Sequence, residues 1–439
     1  MLNNKKVLIM GMGLTGKSAL KALSQMPCKV YVYDENKNLN LSNIKEDFVI
    51  FKDEDLKDID LIIKSPGIYP DHDLLVKARD ENIEVISDLE FAYRITKCKN
   101  LIAITGTNGK TTTTTLLGDI LKRVRKTYVG GNIGVGLSDI ALEAKKDDFF
   151  VIEASSFQLE DTLTFKPKIA ILTYVTKDHL DWHKSEDNYV RAKYKIFANQ
   201  DGEDYAILNS EDRAARDLKK LKSKVLYFSV ENNNIEGAFL KDKAIYVRLR
   251  GREEKIIDIK DIKIPGIHNV KNIMAAILAA KILKVDDEII IDAVKKFTGV
   301  AHRIEFIKEI KGVKYYNDSK GTNPDSTLVA VEAMDQNCIL IAGGYDKGSD
   351  FDNLFKKASS KISHLILMGQ TAEKISLAAK KYNIDYYLVE NLQMAVTTAK
   401  NLAKKGDSIL LSPACASWDM YKSYEERGED FRKIVSELI

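Results

Sequence analysis

Leu101-Ile-Ala-Ile-Thr-Gly-Thr-Asn-Gly-Lys-Thr-Thr112 is a short apolar run that enters a glycine-lysine-threonine turn and leaves it as a threonine-rich helix start. Strand, turn and helix in that order describe a cradle for a nucleoside triphosphate. Gly106 and Gly109 permit a tight turn in which successive N–H groups and the positive end of the next helix face phosphate oxygens. Lys110 adds a compact charge for the β- and γ-phosphates, and Thr111 a hydroxyl for Mg²⁺. The loop is two residues shorter than the G-x-x-x-x-G-K-[ST] pattern, so the flanking strand and helix carry the reading.

Upstream, residues 5–13 form a β-run that ends in Gly11-Met-Gly-Leu-Thr-Gly16, followed by a helical stretch and a second β-run, Lys29 to Tyr33, that stops at Asp34. Three glycines with an acidic residue about 20 positions on form a dinucleotide-type fingerprint. Taken alone it suggests NAD. Beside a second phosphate loop, the same turn serves equally for another phosphate ligand, or for none. Short β-runs at Phe48 to Phe51 and Asp60 to Lys64, then Ser65-Pro-Gly67, extend a small parallel sheet to about residue 95.

Downstream, strands and helices keep alternating, as in a parallel α/β domain. Asp148 to Glu153 ends in a carboxylate placed for magnesium in a phosphate-loop fold, and Ala-Ser-Ser-Phe-Gln-Leu-Glu160 follows it. The run Lys168 to Val175 leads into Thr176-Lys-Asp-His-Leu-Asp-Trp-His183, which suggests a second cation site or phosphate handling, or else a polar loop with capping aspartates. Lys193 follows in the helical stretch Asn188 to Ala198. A strand-rich, charged region with a candidate hairpin around Asn232 to Lys263 ends at Pro265-Gly-Ile-His-Asn-Val-Lys-Asn272. There His268, Asn269 and Asn272 open the apolar helix Ile273 to Leu283, capping it or reading a base edge. A new unit starts near residue 298 with Ala301-His-Arg-Ile-Glu305, a hairpin across Lys311-Gly312, and Asn317-Asp-Ser-Lys-Gly-Thr-Asn323. β-runs at Cys338 to Ala342, His364 to Met368 and Ser408 to Leu411 end in polar turns, notably Gly343-Gly-Tyr-Asp-Lys347 and Ser412-Pro-Ala-Cys-Ala-Ser417. Strand C-terminal ends are where a parallel sheet takes its ligands.

Composition narrows the function further. A chain of 439 residues suggests about three domains. Its 67 basic and 64 acidic residues nearly cancel, which removes the global field that would draw nucleic acid and leaves specificity to local sites. Cys28, Cys98, Cys338 and Cys415 have no metal spacing or paired framework, which favours a reducing cytoplasm; of these only Cys415 lies in a suggestive turn. No run approaches the ~20 apolar residues of a membrane span.

Gly106-Thr-Asn-Gly-Lys-Thr111, Glu153-Ala-Ser-Ser-Phe-Gln158, Asp178-His179, Gly266-Ile-His-Asn-Val-Lys-Asn272, His302-Arg303 and Asn317-Asp-Ser-Lys320 together resemble the Mur ligases of peptidoglycan synthesis, over nearly the whole chain. Within that family, Ser412-Pro-Ala-Cys-Ala-Ser-Trp-Asp419 with Arg427-Gly428, the compact first domain and Gly11 to Gly16 look like the D-glutamate-adding branch. The match departs at Tyr174, where the family often has asparagine, and at Trp418.

The resemblance implies an α/β protein of three domains. A Rossmann-like N-terminal domain (1–95) binds the uridine nucleotide, a central P-loop ATPase-type domain (96–297) binds ATP, and a C-terminal Rossmann-like domain (298–439) binds the amino acid. It further implies ATP and two Mg²⁺ ions as cofactors, with UDP-N-acetylmuramoyl-L-alanine and D-glutamate as substrates. A cytoplasmic monomer with no nucleic-acid or membrane partner is expected. By carry-over, Leu14, Thr15 and Asp34 hold the uridine end, with Asn132 of Gly130-Gly-Asn-Ile-Gly134, Ser155 and Gln158 toward the rest of the sugar nucleotide. Gly106, Thr107, Asn108, Gly109, Lys110, Thr111, Thr112, Asn269, Asn272, Arg303 and Asp318 hold ATP. Thr111 and Glu153 take one metal, and His179 with a carbamylated Lys193 the other; Lys110, His179 and Lys193 are the catalytic set. Lys320, Thr322, Lys347, Ser417 and Tyr424 surround D-glutamate. Competing readings are another Mur ligase, a folylpolyglutamate synthase-like amide ligase, which would not need the Gly11 to Gly16 unit, and a nucleotide-sensing module that ligates nothing.

Overall fold

The computed structural model describes residues 2–36, 41, 44–132, 135–218, 220–334, 337–346 and 348–438. Their strands form three sheets. The first holds β1 (Lys6–Met10), β2 (Lys29–Tyr33), β3 (Val49–Ile50), β4 (Leu61–Lys64) and β5 (Glu84–Ser87), in the order β3-β2-β1-β4-β5 with every pairing parallel. Val7, Leu8, Ile9 and Met10 are fully buried, because helices on both faces of a parallel sheet leave no wet side for a polar residue.

The second sheet holds β6 (Asn100–Thr105), β7 (Thr127–Gly131), β8 (Phe149–Glu153), β9 (Ile169–Leu172), β10 (Tyr205–Asn209), β11 (Lys224–Ser229), β12 (Gly237–Lys241), β13 (Ala244–Leu249) and β14 (Arg252–Asp258). Their order is β14-β13-β12-β11-β10-β9-β6-β8-β7. The sheet is parallel from β7 to β12 and then turns antiparallel at β13, through Asp242 and Lys243. Both turn residues have positive φ, 50° and 58°, the backbone that matches a two-residue hairpin to strand twist. This is the hairpin expected between Asn232 and Lys263.

The third sheet holds β15 (Glu305–Ile310), β16 (Val313–Asn317), β17 (Cys338–Ala342), β18 (Ile362–Leu367), β19 (Tyr386–Leu388) and β20 (Ser408–Leu411), ordered β15-β16-β20-β17-β18-β19. Only the β15–β16 hairpin across Lys311-Gly312 is antiparallel. The edge strand β19 was not expected from the sequence, since three residues show no periodicity. The helix expected from Ile273 begins at Ile267 and runs to Ile282, so His268, Asn269 and Asn272 lie in its first turns rather than ahead of it.

The chain folds as two compact units, Met1–Ile257 with Lys271–Ala293, and Asp258–Val270 with Val294–Ile439. Apart from the last residue of β14, the first two sheets share the first unit and the third sheet lies in the second. Where the first two sheets meet, Glu90 is fully buried and accepts from the N–H groups of Leu163, Thr164 and Phe165 at 3.0, 2.9 and 2.9 Å and from Arg94 Nε at 2.8 Å. Burial alone would raise its pKa; the Thr164 hydroxyl and Arg94 outweigh burial and hold it below the usual carboxylate value. Lys64, at the end of β4, is equally buried, pairs with Asp161 at 3.0 Å and donates to Ile68 O. Removing one partner of such a buried pair costs roughly 3–5 kcal/mol, so this seam is a strong joint. Among the described residues no helix is long and apolar enough to cross a membrane.

Candidate active site

β6 delivers the phosphate loop, and the helix Lys110–Lys122 leaves it. Gly109 has φ +88°, and a β-carbon there would sit 2.3 Å from Asn272 Oδ1, so only glycine lets the helix Ile267–Ile282 approach the loop. The loop is braced by the segment that follows β9: Thr107 N donates to Tyr174 O at 2.6 Å, and Thr173 Oγ1 to Asn108 O at 2.6 Å. Thr107 Oγ1 bonds Thr176 O and the Tyr189 hydroxyl at 3.0 and 2.9 Å. The Tyr174 side chain is exposed, so the departure from asparagine leaves the part of residue 174 that the loop uses, its carbonyl, unchanged.

Two amines converge on one oxygen. Lys110 Nζ donates to Gly106 O at 2.7 Å and Thr107 O at 2.9 Å, and Lys193 Nζ donates to the same Gly106 O at 2.9 Å. Lys193 is 1% exposed and lies over the Tyr189 ring. Burial first, and the Lys110 charge second, push its pKa well below the ordinary lysine value, against a smaller opposing pull from Asp178. A buried amine driven toward its neutral form is a nucleophile rather than a solvated surface charge.

Beside the loop, Glu153 ends β8 and is buried; Asn132 Nδ2 donates to its Oε1 at 2.9 Å, while Oε2 has no partner within the protein. A buried carboxylate oxygen with no donor suits a bound cation. The two histidines expected together part company. His183 is buried, bonded through Nε2 to Ser156 Oγ at 2.9 Å and stacked on Phe157. His179 is exposed, at φ +50°, beside Asp178. Among the described residues no three His, Cys, Asp or Glu groups gather as a metal cage.

In the second unit, Asp318 follows β16 and accepts from Ile304 N at 3.1 Å and Ser412 Oγ at 2.7 Å. Burial pushes its pKa up to about 7 against the pull of Ser412 and Arg303. His302 and Ile304 flank Arg303 with φ of 62° and 45°. Positive φ is a true outlier for a β-branched residue, so the fold imposes this backbone around the arginine. Lys320 Nζ lies 5.5 Å above the Tyr424 ring, and Ser417 is buried.

Three family models match the chain: the Mur ligase MurD-like N-terminal domain over residues 5–87, the Mur ligase middle domain over 104–280, and the Mur ligase glutamate ligase domain over 302–415. The chain belongs to the Mur ligase family. A relative from Thermoanaerobacter sp. (strain X514), named UDP-N-acetylmuramoylalanine–D-glutamate ligase, is 48% identical over 100% of this chain and 99% of its own. One of the same name from Caldanaerobacter subterraneus subsp. tengcongensis is 44% identical with the same coverage. A pseudomurein peptide ligase type C from Methanothermus fervidus matches with a TM-score of 0.60 at 20% identity, over 99% of both chains, which shows a shared fold.

With the Mur ligase family established, the remaining expected residues can be located. Leu14 is 67% exposed at the start of its helix, and Thr15 Oγ1 meets Ser65 Oγ at 3.2 Å. Asp34 accepts from Met12 N at 2.7 Å, so it braces the first glycine loop. Ser155 and Gln158 are buried in a reciprocal capping box, and Gln158 Nε2 also donates to Asp88 Oδ2 at 2.9 Å. Thr111 and Thr112 are buried in the first helical turn, Asn269 Nδ2 donates to Pro265 O, and Thr322 N donates to Lys320 O. Lys347, like Ile133 and Gly134 of the Asn132 turn, lies outside the described residues. The Cys415 thiol is buried against Thr371 Oγ1 at 3.2 Å, and burial pushes its pKa up to about 11, so it is no nucleophile. Sequence reasoning missed Tyr189, Ser156 and Ser65; Ser65 and Ser156 lay inside motifs already quoted, whereas Tyr189 carried no signal.

Proposed function

We propose that this chain joins D-glutamate to UDP-N-acetylmuramoyl-L-alanine, using ATP, in peptidoglycan precursor synthesis. The observation that carries the reading is the end-to-end 48% identity with a ligase of that name. A free carboxylate is a poor acyl donor. Its oxygen attacks the γ-phosphorus of ATP, the bond from that phosphorus to the ADP oxygen breaks, and an acyl phosphate forms. The amine of D-glutamate attacks the acyl carbon, phosphate departs, and the nitrogen loses a proton to leave an amide. Holding the reactants in line supplies much of the acceleration.

Lys110 neutralises the phosphates, with the Gly109 N–H and the helix start at Thr111 and Thr112, while Gly106, Thr107 and Asn108 shape the ATP loop, the last two through N–H groups held by Tyr174 O. Asn269, Asn272, Arg303 and Asp318 are assigned to the rest of ATP. Leu14, Thr15, Asp34 and Asn132 are assigned to the sugar nucleotide, with Ser155 and Gln158 shaping that wall from their capping box. Lys320, Thr322, Lys347, Ser417 and Tyr424 are assigned to D-glutamate. Glu153, whose Oε2 has no donor, and Thr111 would hold one Mg²⁺, and His179 with Lys193 the other, supplying positive charge at the γ-phosphate. The depressed pKa of Lys193 supports its carbamylation: the neutral amine adds to CO₂ and releases a proton, which turns a nitrogen into an anionic oxygen ligand. The domain limits 1–95, 96–297 and 298–439, a monomeric state and a cytoplasmic setting belong to the same reading.

Phosphate release measured with each substrate omitted in turn tests it. Release that requires both UDP-N-acetylmuramoyl-L-alanine and D-glutamate is expected. Equal release with L-alanine, L-lysine or no amino acid would overturn it.

A further inference from the structure

Among the described residues Arg427 is the largest side chain buried to under 2% exposure, and the reaction as proposed gives it no task. It sits one turn into the helix Tyr424–Ser436, with its guanidinium where three strand-end loops of the third sheet converge. To the loop after β16, Nε donates to Ser319 Oγ at 3.0 Å and Nη2 to Ser319 O at 2.9 Å. To the loop after β20, Nη2 donates to Cys415 O at 3.2 Å and Nη1 to Ala416 O at 3.4 Å. The loop after β17 closes the ring: Tyr345 N donates to that same Ala416 carbonyl at 2.9 Å. A β-carbon on Gly344, at φ +148°, would lie 2.2 Å from Ala416 O and 3.3 Å from Nη1.

We infer that Arg427 is a positioning residue for the D-glutamate subsite, its guanidinium setting the relative placement of the three loops that carry that subsite. The inference rests on the proposed function. Lys320 follows Ser319, Ser417 follows Ala416, Lys347 is two positions after Tyr345 in the sequence, and Tyr424 is three residues before Arg427 on the same helix. Ser319 Oγ also donates to Tyr424 O at 2.8 Å, which ties that helix start to the β16 loop. The partners of Arg427 are carbonyl and hydroxyl oxygens, so the group works as a multi-armed donor. Burial lowers its pKa only to about 10, which leaves it charged at neutral pH. A planar fork satisfies several fixed oxygens at once; a lysine ammonium in the same place cannot. The β20 loop needs such a brace, because Ala414 is held at φ 58°, a conformation unfavourable for a residue with a β-carbon. Asp318, assigned to ATP, takes its hydrogen bonds from Ile304 N and Ser412 Oγ rather than from Arg427.

Steady-state kinetics with each substrate varied in turn test this on the full chain carrying Arg427→Lys. The KM for D-glutamate is expected to rise about 30-fold, a loss typical of sub-ångström misplacement, while the KM values for ATP and the uridine substrate move less than ~3-fold. Ser319→Ala, which removes one acceptor and spares the guanidinium, is expected to move the D-glutamate KM in the same direction by about 4-fold, and it carries the test where the lysine variant does not fold. An unmoved D-glutamate KM, or equal losses for all three substrates, overturns the inference. Wild-type phosphate release that ignores D-glutamate overturns the proposed function instead.

Discussion

The phosphate loop of the first unit and the strand-end loops of the second are both tied by hydrogen bonds, but the cation at each is placed differently. Lys110 is held by carbonyls three and four residues before it. The β16 and β20 loops are held by one guanidinium, 108 positions from Ser319 along the chain. A loop whose lysine folds back onto its own turn can be read from six consecutive letters, even though Thr173, Tyr174 and Lys193 brace it from 65 to 87 positions away. A set of loops held by a distant side chain cannot, because nothing local marks the brace. The same contrast predicts how each fails: damage to the phosphate loop removes chemistry and spares the fold, whereas damage to the loop brace shifts recognition.

The largest effect is expected at Lys110. Lys110→Ala removes the phosphate-facing charge, and phosphate release should fall by about 10³-fold or more, with thermal unfolding nearly unchanged because the lost bonds are to carbonyls of its own turn and Gly106 O keeps Lys193 as a donor. Near-wild-type turnover would break the comparison on its first side. Lys193→Ala should lose about 10²-fold by the loss of an oxygen ligand, and acetate should restore part of it. Lys193→Arg should gain nothing from acetate, since it fills the space with a cation. Full activity of Lys193→Ala without acetate would end the carbamate reading.

Two buried carboxylates, one in each unit, sharpen the contrast through pH. Burial pushes Asp88, in the first unit, up to about 6, and Asp318, in the second, up to about 7, from an ordinary 3.8. Each binds its proton more tightly folded than unfolded. Its stabilisation is therefore complete below the ordinary value and drains away as pH rises toward 6 or 7. Asp318→Asn keeps an oxygen for Ile304 N and offers an N–H to Ser412 Oγ. It should raise the melting temperature by a few degrees, about 3–6 °C, at pH 8 and barely at pH 4. A gain of equal size at both pH values would show that Asp318 is charged throughout. The smallest effect is expected at Cys415: Cys415→Ala should change the D-glutamate KM less than ~2-fold, and the native thiol should resist iodoacetamide, since burial leaves little thiolate. Rapid alkylation of the folded protein would show that the β20 loop opens, and that the brace at Arg427 is loose.

Much of the architecture was legible because its signals are short-range. β1, β6 and β17 are continuous apolar runs, and each ends in glycine within a residue or two. The hairpins at Asp242-Lys243 and Lys311-Gly312 fall in regions already marked as turns. What escaped was either very short, like β19, or hidden by a second use of the same residues. The Thr176–His183 cluster shows the latter: composition joins its two histidines, whereas packing buries His183 against Ser156 and Phe157 and leaves His179 at the surface.

By itself, the order of residues determined the three α/β sheets, the phosphate loop and the family, because strand periodicity and a six-residue turn depend on neighbours in the chain. Only the tertiary structure decided that Lys193 and Lys110 share the Gly106 carbonyl, that Glu153 keeps one oxygen without a donor, and that Arg427 binds two loops at once. The Lys193 and Arg427 contacts join groups far apart in sequence, and all three facts depend on burial, which no single stretch of sequence specifies.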